Sequence, residues 1–159
     1  MEPFGILVKS YRDDLPAARR LLESIQTHNI DALPVWVVVP DEDLSLFTPT
    51  IGPDTELLPE SILSDYLVDA AVAGVRPGYI NQEIIKLAFW ELGLVANYLP
   101  VDSDAVFLRP FHAADFMHEP NIPYTVLLED RELQTDPDYF STHWQGREQT
   151  LREIQRQVG

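Results

Sequence analysis

The sequence predicts an α/β fold in which a mostly parallel β-sheet is flanked by helices. Residues 5–39 have the pattern of strand, helix and strand, and a second helix–strand pair follows at 81–101. The run 33–39 is continuously apolar and rich in β-branched residues, which is typical of a strand covered on both faces in a parallel sheet. With 159 residues, of which 45% are hydrophobic, the chain is long enough to form one domain spanning 1–159.

The first strand is predicted at residues 5–10 and is followed by a polar turn at 11–14. Asp13 or Asp14 can cap the next helix, and Pro16 suits its first turn. Apolar residues recur there at helical spacing, namely Leu15, Ala18, Leu22 and Ile25. The second strand, 33–39, ends at the acidic turn 40–43, which we expect at the carboxyl edge of the sheet.

The pattern is less regular between residues 44 and 75. A third short strand is predicted at 55–59, and 61–75 is compatible with helical or irregular structure. From Asn81 a helix is predicted, which ends at Gly93 because glycine is a common helix stop. The strand 96–101 then delivers Asp102 to the carboxyl edge.

The C-terminal part of the chain is predicted to contain a strand at 124–128 and a helix from about Thr142. Apolar residues continue to the end of that helix, at Leu151, Ile154 and Val158. No later element is available to cover this stripe. We therefore expect that the chain stops before a further part of the fold, that the helix packs against the sheet, or that a dimer covers it.

Composition excludes several classes of function. Asp and Glu total 26 against 11 Lys and Arg, so a net charge of −15 disfavours nucleic acid and anionic membranes as partners. The absence of cysteine excludes disulfides, thiolate zinc sites and cysteine nucleophiles. The sequence has no signal-peptide pattern and no run of about 18 apolar residues, which predicts a cytoplasmic protein without a membrane span.

Two carboxylates lie two residues apart where the strand 96–101 ends. In an extended chain Asp102 and Asp104 would project to the same face, with Cα atoms roughly 6.5–7 Å apart, while Ser103 points away. Such a pair can bind one hard divalent cation, directly or through water. The alternative is a solvated acidic turn whose side chains bond to their own backbone.

Three ordered blocks resemble a group of bacterial glycosyltransferase-like domains of the GT-A type, a Rossmann-like fold that binds nucleotide sugars. They are residues 7–14 (LVKSYRDD), 78–88 (GYINQEIIKLA) and 98–111 (YLPVDSDAVFLRPF). The resemblance implies a nucleotide diphosphate sugar donor, an unidentified saccharide, lipid or protein acceptor, and Mn²⁺ or Mg²⁺ held by Asp102 and Asp104. These two aspartates are then the catalytic residues, and the chain is the donor-binding part of the enzyme.

The resemblance also places Lys9, Ser10 and Tyr11 at the nucleotide, with Tyr11 stacked on a base and Lys9 at a phosphate. The alternative is a strand end with a solvated lysine and a half-buried tyrosine. Asp41 could bind ribose or base, or instead cap the helix predicted at 42–47.

Gln82 and Lys86 are four residues apart and share one helical face, which the resemblance turns toward the donor. The alternative for Lys86 is an exposed ion pair with Glu83. The four histidines show no metal-ligand spacing, so a third metal ligand is not identified.

Two other functions are compatible with the aspartates. A phosphatase of the haloacid dehalogenase type would use Asp102 as nucleophile and Asp104 as acid and base, but only 55 residues follow Asp104, and none forms a convincing acidic motif for Mg²⁺. The other is a non-catalytic acidic binding module or an inactive glycosyltransferase fragment.

Overall fold

The computed structural model describes residues 2–72, 74–119 and 122–124. It begins with strand β1 (Glu2–Lys9), helix α1 (Leu15–His28) and strand β2 (Val35–Val39), which confirms the predicted strand–helix–strand unit. Strand β1 starts three residues earlier than predicted because its exposed N-terminal end pairs with a later strand, which the hydrophobic pattern could not reveal.

Helix α1 has Pro16 in its first turn, as predicted, and Asp14 stands at its N-cap position. The Asp14 side chain makes no capping hydrogen bond, however. It accepts a hydrogen bond from Ser103 Oγ at 3.0 Å instead. Asp14 therefore occupies the predicted cap position, but it forms no side-chain cap because its carboxylate binds a distant partner.

The middle of the chain is built largely from short 3₁₀ segments. Helix α2 (Leu44–Phe47) is preceded by one 3₁₀ turn and followed by another, and strand β3 (Thr55–Pro59) has the bounds that the sequence predicts. A 3₁₀ helix, Glu60–Tyr66, follows β3 directly.

Helix α3 (Pro77–Ala88) starts four residues before the predicted Asn81, because proline suits a first helical turn. A 3₁₀ turn then leads to Gly93, whose φ of +62° is the left-handed conformation that glycine adopts readily, so the predicted stop is confirmed. Strand β4 (Val95–Asp102) is one residue longer at each end than the predicted strand 96–101, and it brings Asp102 to the carboxyl edge as predicted.

These strands form one parallel sheet in the order β3-β2-β1-β4. The chain moves outward from β1 to β2 and β3, and then returns to place β4 on the other side of β1. The strand order therefore reverses between β1 and β4. In open parallel sheets, ligands bind beyond the carboxyl ends of the strands at such a reversal.

Helices cover both faces of the sheet, which accounts for the continuous apolar sequence of β2. On one face, alternate strand residues such as Ile6 and Val8 pack against Leu21 and other residues of α1. On the other face, Leu7 and its neighbours pack against Ile85 of α3 and the segment that follows it. The parallel α/β architecture predicted from the sequence is confirmed.

After β4 the chain forms a 3₁₀ segment, Ala113–Phe116, and two short antiparallel strands, β5 (Met117–Glu119) and β6 (Ile122–Pro123). The strand predicted at 124–128 falls, apart from its first residue, outside the described residues, and the helix predicted from Thr142 lies wholly outside them. Within the described part of the chain, no helix is both long and apolar enough to cross a membrane.

Candidate functional site

The carboxyl ends of β1 and β4 bring two of the predicted site residues together. Lys9, the last residue of β1, is the register partner of Asp102, the last residue of β4. The chain contains only two lysines, Lys9 and Lys86, and both contact carboxylates near this edge. The scarcity of lysine was a signal available in the sequence, because nine of the eleven basic residues are arginines.

Lys9 is buried, with a side chain 5% exposed. Its Nζ lies 2.7 Å from Glu60 Oε1 and donates a hydrogen bond to the Ser10 carbonyl oxygen at 2.6 Å. The alternative of a solvated lysine at a strand end is therefore wrong. The Glu60 carboxylate, at the start of the 3₁₀ helix after β3, balances the ammonium charge that burial would otherwise make costly.

Ser10 is also buried, at 1% exposure, and its Oγ has no hydrogen-bond partner among the described residues. Its backbone N–H donates to the Val38 carbonyl oxygen at 3.1 Å, which continues the pairing of β1 with β2. The side chain does not face solvent in this structure, so the predicted contact between Ser10 and a nucleotide stays a prediction.

A pocket of about 600 Å³ opens beside Lys9. It brings together three predicted site residues, Lys9, Tyr11 and Gln82, with three to which the sequence assigned no role, Glu60, Arg76 and Tyr79. Tyr11 is 41% exposed and Tyr79 is 68% exposed, so aromatic surface is available to a ligand. The volume lies within the range that small-molecule sites usually occupy.

Arg76 is the N-cap residue of α3 and Tyr79 lies in its first turn, and both line the pocket. The helix predicted from Asn81 left both residues outside regular structure; Tyr79 stands in the resembling block 78–88 without an assigned role, and Arg76 carried no signal. Gln82 lies on the same helix, and its Nε2 donates to Glu83 Oε1 at 3.2 Å.

Asp41 has a structural partner that was not expected. Its carboxylate accepts hydrogen bonds from Ser61 Oγ at 2.6 Å and from the Ser61 N–H at 3.1 Å. The expectation that Asp41 caps its own helix is wrong, because the N-cap position there is Pro40 and no side-chain cap is formed. Asp41 joins the loop after β2 to the 3₁₀ helix after β3, and its role as a nucleotide ligand stays a prediction.

The D-x-D segment forms a turn. The Asp102 carbonyl oxygen accepts a hydrogen bond from the Ala105 N–H at 3.0 Å, so the extended geometry assumed for Asp102 and Asp104 is wrong. The Ser103 side chain is buried and bonds to Asp14, while both aspartates are exposed. The two carboxylates therefore reach the surface because Ser103 is buried within a turn, and not because the chain is extended.

Lys86 joins α3 to this turn. Its Nζ lies 2.7 Å from Asp102 Oδ1 and 3.0 Å from Glu83 Oε1, so the ion pair with Glu83 is present but Asp102 is a second partner. Partial burial acts to lower the pKa of Lys86, but hydrogen bonds to Asp102 and Glu83 outweigh it, and the pKa is raised. Tyr98 Oη donates to the Lys86 carbonyl oxygen at 2.7 Å and ties this helix to β4.

The donor atoms at the turn suit a cation that takes part of its coordination from a ligand. No group of three or more His, Cys, Asp and Glu side chains within the described residues could hold a metal ion by itself. Mg²⁺ is commonly bound by one or two carboxylates, with water and substrate phosphates completing the shell. Asp102 and Asp104 offer two exposed carboxylates of the kind that such coordination uses.

An ion pair joins the loops that follow β1 and β2. Asp43, 1% exposed, receives hydrogen bonds from the Arg12 N–H and from Arg12 Nε, both at 2.8 Å. The Arg12 guanidinium also lies 2.7 Å from the same carboxylate through Nη2. This Arg12–Asp43 clasp joins the loop after β1 to the loop after β2, and it was not predicted.

A family of unknown function, DUF6492, matches residues 3–155. The chain belongs to this family. No curated protein and no solved structure matches the chain. Membership of the DUF6492 family carries no assigned activity, so the function must be argued from the residues at the carboxyl edge.

Proposed function

We propose that this chain is a metal-dependent glycosyltransferase of the GT-A type, or its donor-site domain. The observation that carries the proposal is the meeting of Lys9, Lys86 and the exposed Asp102–Asp104 turn where the strand order reverses. The donor is a nucleotide diphosphate sugar, and the acceptor is a saccharide, a lipid or a protein.

The pocket of about 600 Å³ suits the nucleoside part of the donor. Tyr11 offers a partly exposed ring for stacking on the base, and Arg76 and Gln82 offer hydrogen-bond donors at the same wall. Lys9 is already paired with Glu60, so this side of the pocket presents a donor and an acceptor rather than a bare positive charge. Such a pair favours a neutral, polar ligand group.

The phosphates belong nearer the D-x-D turn. Asp102 and Asp104 would hold Mn²⁺ or Mg²⁺, which stabilises the negative charge that the diphosphate gains as it leaves. With a net charge of −15, the protein repels phosphates at long range, so local cations are needed. Lys86, partly buried beside Asp102, is the basic side chain best placed to serve the phosphates.

The chain's own contribution to catalysis would be mainly positional. The parallel sheet holds β1 and β4 in register. The backbone of Lys9 lies opposite that of Asp102, which aligns the pocket with the turn. Holding a donor and an acceptor in a reactive arrangement lowers the barrier by avoiding the entropy loss at the moment of reaction.

Isothermal titration calorimetry with UDP and GDP tests the proposal, first with Mn²⁺ and then with EDTA. We expect binding that depends on the metal and that the Asp102→Ala/Asp104→Ala variant weakens by about 100-fold or more. The matched control is Glu23→Ala/Asp54→Ala, which removes two exposed carboxylates away from this edge and should change affinity by less than about twofold.

Three results would contradict the proposal. Metal-dependent binding that survives in the Asp102→Ala/Asp104→Ala variant would remove the aspartates from the site. A protein that binds no nucleotide diphosphate under any condition would favour the non-catalytic binding module instead. A phosphoaspartate trapped at Asp102 would point to the phosphatase of the haloacid dehalogenase type.

A further inference from the structure

Lys86 contacts one of the two carboxylate oxygens that Asp102 would offer to a metal ion. Its Nζ is 2.7 Å from Asp102 Oδ1, whereas the Asp102 side chain as a whole is 66% exposed. The Lys86 side chain is only 16% exposed. The ammonium group is therefore a tethered cation that already neutralises one of the two carboxylates.

We propose that a divalent metal ion displaces Lys86 from Asp102, and that the released ammonium group then binds the phosphates of the nucleotide ligand. This inference rests on the proposed function and adds a coupling between its two ligands. It assigns Lys86 two successive partners, the carboxylate without metal and the phosphate with metal.

The geometry around Lys86 allows its side chain to move while its backbone stays in place. Glu83 Oε1, 3.0 Å from Nζ, remains as a partner after Asp102 is lost, so the ammonium group is not left unpaired. Tyr98 Oη holds the Lys86 carbonyl oxygen at 2.7 Å and anchors the helix on β4. The flexible four-carbon stem of lysine permits the exchange by rotation alone.

The same helical face leads toward the pocket. Gln82, one turn before Lys86, lines the pocket, and residues four apart on a helix lie on one side. A released ammonium group would thus lie between the pocket and the D-x-D turn, where the diphosphate of a donor belongs. A divalent ion bound at Asp102 repels the ammonium group and favours this second position.

Metal and nucleotide should consequently bind with positive coupling. A nucleotide diphosphate that takes up the released ammonium group stabilises the metal-bound arrangement, and by linkage the metal raises the affinity for the nucleotide by the same factor. Lys86 would oppose metal binding in the absence of nucleotide and support nucleotide binding in the presence of metal.

The variant Lys86→Met separates these two effects because it keeps a long side chain and removes the charge. Calorimetry with Mn²⁺ alone should give an affinity about fivefold to tenfold higher than that of the natural protein. With saturating Mn²⁺, UDP or GDP should bind about tenfold more weakly. Arg20→Met, which removes one exposed positive charge from α1, is the matched control and should change neither affinity appreciably.

A spectroscopic measurement on the unmodified sequence provides a second test. Protein labelled with ¹³C at the lysine Cε gives two side-chain signals, since the chain has two lysines. Titration with Mg²⁺ should shift the Lys86 signal and leave that of Lys9 nearly unchanged, because Lys9 is paired with Glu60. Addition of a nucleotide diphosphate should then shift the Lys86 signal again.

The outcomes distinguish this inference from the proposed function. If Mn²⁺ binding is abolished by Asp102→Ala/Asp104→Ala but is unchanged or weaker in Lys86→Met, the metal site is correct and the displacement is wrong. A Lys86 signal that does not move under saturating Mg²⁺ would also show that the metal leaves Lys86 on Asp102. If Mn²⁺ binding does not depend on the aspartates, both proposals are overturned.

Discussion

The two residues of the Arg12–Asp43 clasp should differ in how much the loss of each side chain lowers the free energy of unfolding, and the order should be the reverse of what their exposure suggests. Asp43 is buried at 1% exposure, and its two carboxylate oxygens receive hydrogen bonds from the backbone and the guanidinium of Arg12. The Arg12 side chain is 53% exposed. Removing the exposed arginine should nevertheless cost more than removing the buried aspartate.

The magnitudes follow from what each substitution leaves behind. Arg12→Ala leaves the buried Asp43 carboxylate with only a backbone N–H, and removing one partner of a buried ion pair costs about 3–5 kcal/mol. Asp43→Ala leaves a guanidinium group that water can reach, so the main losses are the hydrogen bonds themselves, about 2–3 kcal/mol. The midpoints of these ranges differ by about 1.5 kcal/mol, with Arg12→Ala the more destabilising variant.

Urea denaturation followed by tryptophan fluorescence measures these values, because Trp36 is buried in the core between the sheet and α3. Arg20→Ala serves as the control for the loss of an exposed arginine from neighbouring structure. A smaller loss for Arg12→Ala than for Asp43→Ala, or losses below about 1 kcal/mol for both, would refute the reasoning.

Two further predictions concern the fold. The Asp31 carboxylate, 2.7 Å from His112 Nδ1, raises the pKa of His112 above 6.5, so its stabilising contribution should be complete below pH 6.5 and disappear as pH rises through the raised pKa. Urea titrations of His112→Gln and the natural protein should converge above that pH, and a constant difference would contradict the assignment. Gly5→Ala would place a Cβ atom against the Trp36 ring and 2.9 Å from the Pro34 carbonyl oxygen, so we expect a loss of about 1–3 kcal/mol in urea. Unchanged stability would mean that the ring shifts freely.

The local pattern of apolar and turn residues was sufficient to predict most of the helices and strands. The apolar run that contains β2, the stripe of α1 and the glycine after α3 were all recognisable, and β3 was predicted with its observed bounds. Each of these depends on residues within a few positions of one another. Element starts were predicted less well, since Glu2 joins β1 only because β4 is there to pair with it.

In the candidate site, too, single residues could be predicted from the sequence but contacts between distant residues could not. The D-x-D segment and both lysines could be singled out from residue type and resemblance. The contacts between Lys86 and Asp102, Lys9 and Glu60, and Arg12 and Asp43 join residues far apart in the chain, and periodicity carries no information about such pairs. The turn at Asp102 likewise depends on Ser103 finding a partner in Asp14.

The sequence by itself determined the parallel α/β class and the edge of the sheet where Asp102 and Asp104 emerge. Burial on two faces and turn formation both depend on residues that are neighbours in the chain. Only the tertiary structure decided the strand order, the lining of the pocket and the contact between the Lys86 ammonium group and Asp102. Those features depend on long-range packing that brings separate segments together. Their energies therefore belong to the assembled fold and to no single stretch of the chain.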